Sequence, residues 1–196
     1  MSRAPHPWDA NKEASLSKHQ LLGMSGSLRK DATNRFLLRN AARLYGDAEY
    51  IEADLNLPLY DGDLEDAEGI PEGVAKLAAQ IAAADAVIIS TPEYNKMLTG
   101  VLKNALDWVS RVKPHPWQGK PVAVMSAAGG RAGGERAQAS LVAAMVPFQP
   151  KLVIGTEIAV AGSSKEFDAD GVLTNERYKA NLGKLMEKLR AAVDQS

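Results

Sequence analysis

The segment GSLRKDATN, residues 26–34, concentrates hydrogen-bond donors at the start of a predicted helix. Before it the apolar run QLLGMS predicts a strand, and after it RFLLRNAARLY has the spacing of an amphipathic helix. Backbone N–H groups at a helix N-terminus lack intrahelical partners and lie at the positive end of the helix dipole, so they favour an anion such as phosphate. Further donors are available on the side chains of Ser27, Arg29, Thr33 and Asn34.

An alternative is that these side chains serve only the local fold, with Asp31 or Thr33 capping the helix. Capping accounts for one side chain and leaves the rest of the set unexplained. The segment does not match a Walker A loop or the G-x-G-x-x-G fingerprint, which disfavours a nucleoside triphosphate or a Rossmann-bound dinucleotide. The pattern therefore favours a mononucleotide phosphate.

A second polar loop, TPEYNKMLTG, follows another predicted strand at residues 91–100. Pro92 ends the strand, while Glu93, Tyr94 and Asn95 bring polar groups and one ring to the sheet edge. Loop amides there can bond the edge of a flat heterocycle. The alternative is that this loop only leads into the next helix, with Asn95 or Thr99 as the cap and Tyr94 in the core.

The third unusual loop, SAAGGRAGGERA, has four glycines within residues 129–134. Small residues allow a planar ligand to approach the backbone closely, although the same glycines also suit a mobile turn. Arg131 has two interpretations. It binds a second phosphate, such as that of an incoming dinucleotide, or it is simply solvated.

The elements that must position these loops form an alternating series. Five strand-like runs, Gln20–Ser25, Ala48–Asp54, Asp85–Thr91, Pro121–Ala127 and Leu152–Val160, alternate with five helical patterns. Such alternation predicts an α/β fold, a five-stranded parallel sheet with helices on both faces, in the flavodoxin-like order 2-1-3-4-5. In that order the winding reverses between the first and third strands, so the loops after Ser25 and Thr91, helped by the loop after Ser126, converge on one site. The polar segment 161–174 is predicted to be a surface loop.

The composition narrows the class of protein. The chain has 196 residues, no cysteine and a formal net charge of −1, so thiolate chemistry is excluded and no basic surface suggests nucleic acid or an anionic membrane. No apolar run is long enough to span a bilayer. We expect a flexible N-terminal extension at residues 1–18, with Trp8 a possible anchor, then a single domain at 19–196 and a cytoplasmic location.

Taken together, GSLRKDATN after the first strand and TPEYN followed by GVLKNALDW after the third make the chain resemble the NADPH-dependent FMN reductase family. The resemblance covers about residues 19–190. It implies noncovalently bound FMN, with the phosphate and ribityl chain held by Ser25, Ser27, Leu28, Arg29, Thr33 and Asn34. It places Pro92, Glu93, Tyr94 and Asn95 at the border of the isoalloxazine ring, and Ser126, Gly129 and Gly130 against its other side.

The resemblance also implies a reaction. NADH or NADPH passes a hydride to flavin N5, and small acceptors (quinones, ferric complexes, chromate or azo compounds) then remove the electrons in a ping-pong sequence. The flavin carries the chemistry, so neither a catalytic side chain nor a metal is expected. The three histidines, His6, His19 and His115, are expected at the surface.

A homodimer is implied as well, with the third predicted helix near the interface. Lys103, Asp107, Trp108 and Arg111 of that helix then serve packing or salt bridges, or else Trp108 lies in the core and the other three on an exposed face.

Two features depart from the family pattern. KMLTG stands where a small polar residue and a proline usually precede the glycine, and AAGGRAGG is unusually rich in glycine. Both flank the ring and the substrate pocket, so they bear on acceptor choice more than on flavin binding.

Two other functions stay open. A flavodoxin-type electron carrier would dock protein partners without direct hydride transfer, although such carriers are usually strongly acidic. A flavin-free binding domain would keep the fold and lack the cofactor.

Overall fold

A computed structural model of the chain describes residues 18–195. Its parallel sheet is built from β1 (His19–Ser25), β2 (Ala48–Glu52), β3 (Ala86–Thr91), β4 (Pro121–Ala127), β5 (Lys151–Leu152) and β6 (Ala159–Val160). The strands are ordered β2-β1-β3-β4-β5, and β6 also pairs with β4. The predicted α/β flavodoxin-like order is confirmed.

The fifth predicted strand, Leu152–Val160, is wrong as a continuous element. The structure has two short strands that pair with opposite ends of β4, Val122 with Leu152 and Ser126 with Ala159. Between them Gly155 takes φ +102°, which lies outside the β region and interrupts the extended chain.

The helices of residues 18–195 are α1 (Thr33–Tyr45), α2 (Gly62–Glu68), α3 (Glu72–Ala83), α4 (Gly100–Val109), α5 (Glu135–Met145) and α6 (Glu176–Asp194). Helix α2 was not predicted because it buries no residue and so leaves no apolar period in the sequence. It begins instead on a cap: the Asp61 side chain accepts a hydrogen bond from the Asp63 amide.

Two apolar layers cover the sheet. On one face α3, α4 and α5 pack over residues such as Val87 and Ile89, and on the other face α1 and α6 pack over Ala86 and Ile88. Adjacent β3 residues point to opposite layers, as the pleat requires, and all six β3 residues are buried. The sheet is therefore a fixed frame for the loops that leave its carboxyl edge.

The predicted N-terminal extension, with Trp8 and His6, lies outside the described residues except for Lys18, whose ammonium group pairs with Asp47 at 2.9 Å. Within residues 18–195, none of the helices has the length and apolar character needed to cross a membrane.

Candidate cofactor site

A cavity of about 490 Å³ opens at the carboxyl edge of the sheet, beside the point where the winding reverses between β1 and β3. A volume in this range suits a cofactor-sized ligand. Four loops or helix starts supply its wall: Ser27, Arg29, Asp31, Ala32, Thr33, Asn34 and Phe36; Pro92, Glu93 and Tyr94; Ala127, Ala128 and Gly129; and Ser163, Ser164, Phe167 and Asp168. The three loops singled out in the sequence therefore meet, and a fourth segment joins them.

The first turn of α1 lies in this wall without a side-chain cap. The residue before the helix is Ala32, which has no side chain able to accept a hydrogen bond, and the first turn contains no acidic residue. Neither Asp31 nor Thr33 caps the helix, so the capping alternative is not what the structure shows. The N-terminal amides remain available to an anionic ligand.

The loop before α1 is held by its own hydroxyls. Ser25 Oγ donates to the Ser27 carbonyl at 3.1 Å and accepts from the Ser27 amide at 3.2 Å, and Ser27 Oγ accepts from the Arg29 amide at 3.4 Å. Gly26 is required here because a Cβ atom would lie 2.9 Å from both Thr99 Oγ1 and Leu102 Cδ1. The loop presents Ser27 and the exposed side chain of Arg29 to the cavity, and Arg29 pairs with no other side chain in the described part of the protein.

The second loop projects a tight turn beside the cavity. Asn95 and Lys96 both have positive φ, 50° and 69°, while the Tyr94 and Met97 backbones exchange hydrogen bonds of 3.2 and 3.1 Å. This geometry leaves Tyr94 55% exposed, so Tyr94 is not a core residue. Thr99, not Asn95, caps α4, since its hydroxyl accepts from the Leu102 amide.

Glycines of the third loop fall into two groups. At Gly133 a Cβ atom would lie 2.4 Å from the Ala159 carbonyl oxygen, and at Gly134 it would lie 2.9 Å from the Ser126 side chain. Gly129 and Gly130, in contrast, would meet nothing within 4 Å. The first pair is therefore required by packing, whereas the second pair leaves open space beside the cavity.

The fourth wall segment was predicted only as a surface loop. Ser163 is buried, and its hydroxyl accepts from Thr33 Oγ1 at 3.2 Å, so the segment lies directly against the first turn of α1. Phe167 packs on Phe36 with ring centroids 5.9 Å apart. Asn40 ties the same region to α1, because its carboxamide donates to the Gly171 carbonyl at 2.8 Å and accepts from the Leu173 amide at 3.1 Å. These contacts join residues about 130 positions apart in the sequence, and no local sequence pattern predicts them.

Comparison with known proteins agrees with this geometry. The model of the NADPH-dependent FMN reductase family matches residues 20–165. The chain belongs to this family.

Its relatives include an NAD(P)H-dependent FMN reductase of Pseudomonas aeruginosa, 38% identical over 173 residues, which cover 87% of this chain and 93% of the relative. A quinone reductase of Escherichia coli is 39% identical over 147 residues, 70% of this chain and 78% of the relative. The structure of FerB, a flavoenzyme NAD(P)H:(acceptor) oxidoreductase from Paracoccus denitrificans, superposes with a TM-score of 0.81 at 31% identity, covering 90% of this chain and 98% of FerB.

As a member of this FMN reductase family, the chain is an oxidoreductase whose cofactors are FMN and NAD(P)H. The cavity fits FMN on two independent grounds. The uncapped start of α1 suits a phosphate group, and the open backbone at Gly129 and Gly130 suits the close approach of a flat ring. Of the three carboxylates in the wall, two already accept backbone N–H bonds, Glu93 from Arg136 and Asp168 from Asp170 and Val172.

The structure sorts the predicted FMN contacts into two groups. Lining the cavity are Ser27, Arg29, Thr33, Asn34, Pro92, Glu93, Tyr94 and Gly129. Outside the lining are Ser25, Leu28, Asn95, Ser126 and Gly130. Ser126 is fully buried, and its hydroxyl donates to the Gly133 carbonyl at 2.7 Å and accepts from Gln138 Nε2 at 2.7 Å. In this structure Ser25 and Ser126 therefore shape the wall and do not present their hydroxyls to the ligand.

The predicted third helix corresponds to α4, which ends at Val109, so that Arg111 lies beyond it. All four singled-out residues make contacts within the chain. Lys103 pairs with Asp107 at 2.7 Å and Arg111 with Glu65 at 2.8 Å. Trp108 is fully buried, and its Nε1 donates to the Pro58 carbonyl at 2.8 Å.

No cluster of three or more potential metal ligands occurs in residues 18–195. His115 is exposed, as expected of a surface residue. His19 is instead partly buried, with Nδ1 2.9 Å from Tyr45 Oη, because it lies at the start of β1 next to α1.

Proposed function

We propose that this FMN reductase holds the FMN phosphate at the start of α1 and transfers electrons from NAD(P)H to small acceptors. The observation that carries the proposal is the α1 terminus, which opens into the cavity with Ala32 in the capping position. Because no side chain satisfies the terminal amides, an anion is the natural partner for them. Ser27 supplies a hydroxyl donor and Arg29 a charged one, whereas the Thr33 hydroxyl already donates to Ser163.

The ring of the flavin is proposed to lie between the second and third loops. Pro92, Glu93 and Tyr94 form one border, and the chain from Ala127 to Gly129 forms the other. Backbone N–H and C=O groups of these loops are the partners that the polar edge of the ring needs, while the absence of a Cβ atom at Gly129 permits close contact.

FMN, when bound, supplies the redox chemistry by accepting a hydride and passing electrons onward. The side chains of the wall bind and orient it, and none of them is assigned a proton-transfer role. We propose ping-pong kinetics, with NAD(P)H and the acceptor using the same open side of the cavity in turn. Exposed Tyr94 and Met97 give that side an apolar rim, which suits flat aromatic molecules.

Quinones are the first acceptor class to test, in view of the Escherichia coli quinone reductase and the acceptor oxidoreductase FerB. Ferric complexes, chromate and azo compounds are the further classes proposed. A protein electron carrier would need a docking surface, and the described residues give that function no specific support.

A homodimer is part of the proposal. Leu59 is 81% exposed, and neighbouring Tyr60 packs edge-on against Trp108 of α4 at 5.0 Å. Leu59 and the partly exposed Tyr60 form a small apolar patch beside α4, and we propose that the interface includes this patch. Light scattering coupled to gel filtration should give twice the mass of the chain, and Leu59→Asp should shift the equilibrium toward the monomer.

The function is tested by following the absorbance of the FMN-loaded protein under anaerobic conditions. Addition of NADH or NADPH should bleach the flavin band, and a benzoquinone added afterwards should restore it. Initial rates at several fixed quinone concentrations should give parallel double-reciprocal lines. A flavin that stays oxidised with both nucleotides would contradict the reductase function, and intersecting lines would contradict the ping-pong order.

A further inference from the structure

The carboxamide of Asn34 joins three elements beneath the cavity. Its Nδ2 donates to the Ala127 carbonyl at 2.8 Å, and its Oδ1 accepts from the Ala127 amide at 3.0 Å and from Ser90 Oγ at 2.8 Å. Asn34 belongs to α1, Ser90 to β3 and Ala127 to the end of β4. A single side chain, only 2% exposed, therefore links the start of α1 to two strands.

These bonds use most of the hydrogen-bonding capacity of the side chain. A carboxamide has two donor hydrogens and one oxygen with two acceptor sites. Both acceptor sites and one donor of Asn34 are committed within the protein, which leaves one N–H. The resemblance assigned Asn34 to the phosphate and ribityl chain, but its geometry directs the side chain to the sheet.

The consequence concerns the backbone of the third loop. Ala127 has both its N–H and its C=O bonded to the same carboxamide, so its position relative to α1 is fixed. Ala127 is also the first residue of the wall segment that continues through Ala128 to Gly129. The distance between the phosphate end and the ring end of the site is thus set through Asn34.

We infer that Asn34 is a positioning residue that holds the ring-side wall in register with the α1 terminus, with Ser90 as its support. This inference rests on the proposed binding of FMN at this site. Ser90 is fully buried and does not line the cavity, so its hydroxyl acts on a ligand through Asn34. The Ser90 carbonyl, which accepts from the Gly26 amide at 2.8 Å, is kept in a Ser90→Ala variant. A positioning role therefore predicts that the Ser90 side chain, although unable to touch the flavin, still affects the binding of the flavin ring.

The test uses apoprotein of the full chain, titrated with FMN and with riboflavin, which lacks the phosphate. Asn34→Ala should weaken both ligands by a similar factor of about tenfold, and Ser90→Ala by roughly threefold to tenfold, since each removes buried hydrogen bonds that fix the wall. The visible circular dichroism of the bound flavin should change in both variants, because it reports the surroundings of the ring.

Tyr45→Phe is the matched control. Tyr45 lies on the same helix, is also buried, and its hydroxyl lies 2.9 Å from His19 Nδ1. Neither Tyr45 nor His19 lines the cavity. Loss of this hydrogen bond should lower the thermal midpoint while leaving the flavin circular dichroism unchanged.

Two results would overturn the inference. If Asn34→Ala weakens FMN and leaves riboflavin unaffected, Asn34 is a phosphate ligand. If Ser90→Ala leaves both affinities and the circular dichroism unchanged, the supporting contact has no role, and this variant decides the matter even where Asn34→Ala fails to fold. Failure of the wild-type chain to bind FMN would instead refute the proposed function, and the inference would fall with it.

Discussion

Replacement of Arg29 by Ala tests the proposed phosphate site at the one cationic side chain among the described residues that line the cavity. Arg29 lines the cavity, is exposed, and has no ion-pair partner within residues 18–195, so its guanidinium group is free to bond a phosphate. A hydrogen bond to a charged group contributes about 1.5–3 kcal/mol, or roughly tenfold to a hundredfold in affinity. Because the side chain is exposed and partly screened by water and salt, we expect the lower end, about tenfold.

The assay is calorimetric titration of the apoprotein with FMN at two ionic strengths. The loss in the Arg29→Ala variant should shrink at the higher ionic strength, where counterions screen the lost charge. Riboflavin affinity should not change, because that ligand has no phosphate.

Arg43→Ala is the control for the charge itself, since Arg43 is an exposed arginine in the last turn of the same helix. That variant should bind FMN as the wild type does. An unchanged FMN affinity in Arg29→Ala, or an equal loss for FMN and riboflavin, would refute the assignment.

Four further substitutions test other parts of the account. Gly133→Ala should lower the free energy of unfolding by about 1–3 kcal/mol, because this position combines a positive φ with a backbone clash, and denaturant unfolding measures the loss. Gly129→Ala should leave the free energy of unfolding unchanged and weaken the binding of FMN, which titration measures. Lys96→Gly should raise the free energy of unfolding by several tenths of a kcal/mol to about 1 kcal/mol, since glycine takes the positive φ of that turn without strain, and an unchanged midpoint would contradict this. Burial raises the pKa of Tyr45 from its ordinary 10 to about 12, so the neutral phenol favours the folded state. The contribution of Tyr45 to the free energy of unfolding should therefore be full below pH 10 and fall between pH 10 and 12. Tyr45→Phe should flatten that fall in pH-dependent unfolding curves.

The sequence was most informative where the determining interactions are local. Apolar runs and helical spacing identified five strand positions, and the topology then placed the loops after Ser25 and Thr91 at one edge, as the structure has them. The break at Gly155 was missed because a single glycine in an apolar run does not reveal its φ angle.

Other parts of the site depend on contacts between distant residues. Ser163 lies against Thr33 across 130 residues, and nothing in its polar surroundings distinguishes it from an ordinary surface loop. Asn34 has the residue type of a phosphate donor, and only the folded positions of Ser90 and Ala127 show where its carboxamide is used. Residue type indicated which groups were present, while the fold determined which of them face the ligand.

The most direct test of the central claim is the ratio of FMN affinity to riboflavin affinity in the wild-type apoprotein. The account predicts that FMN binds at least about a hundredfold more tightly, since the phosphate gains several charge-assisted hydrogen bonds at the uncapped start of α1. Equal affinities for the two ligands would show that the α1 terminus does not hold the phosphate, and the account of this site would be wrong.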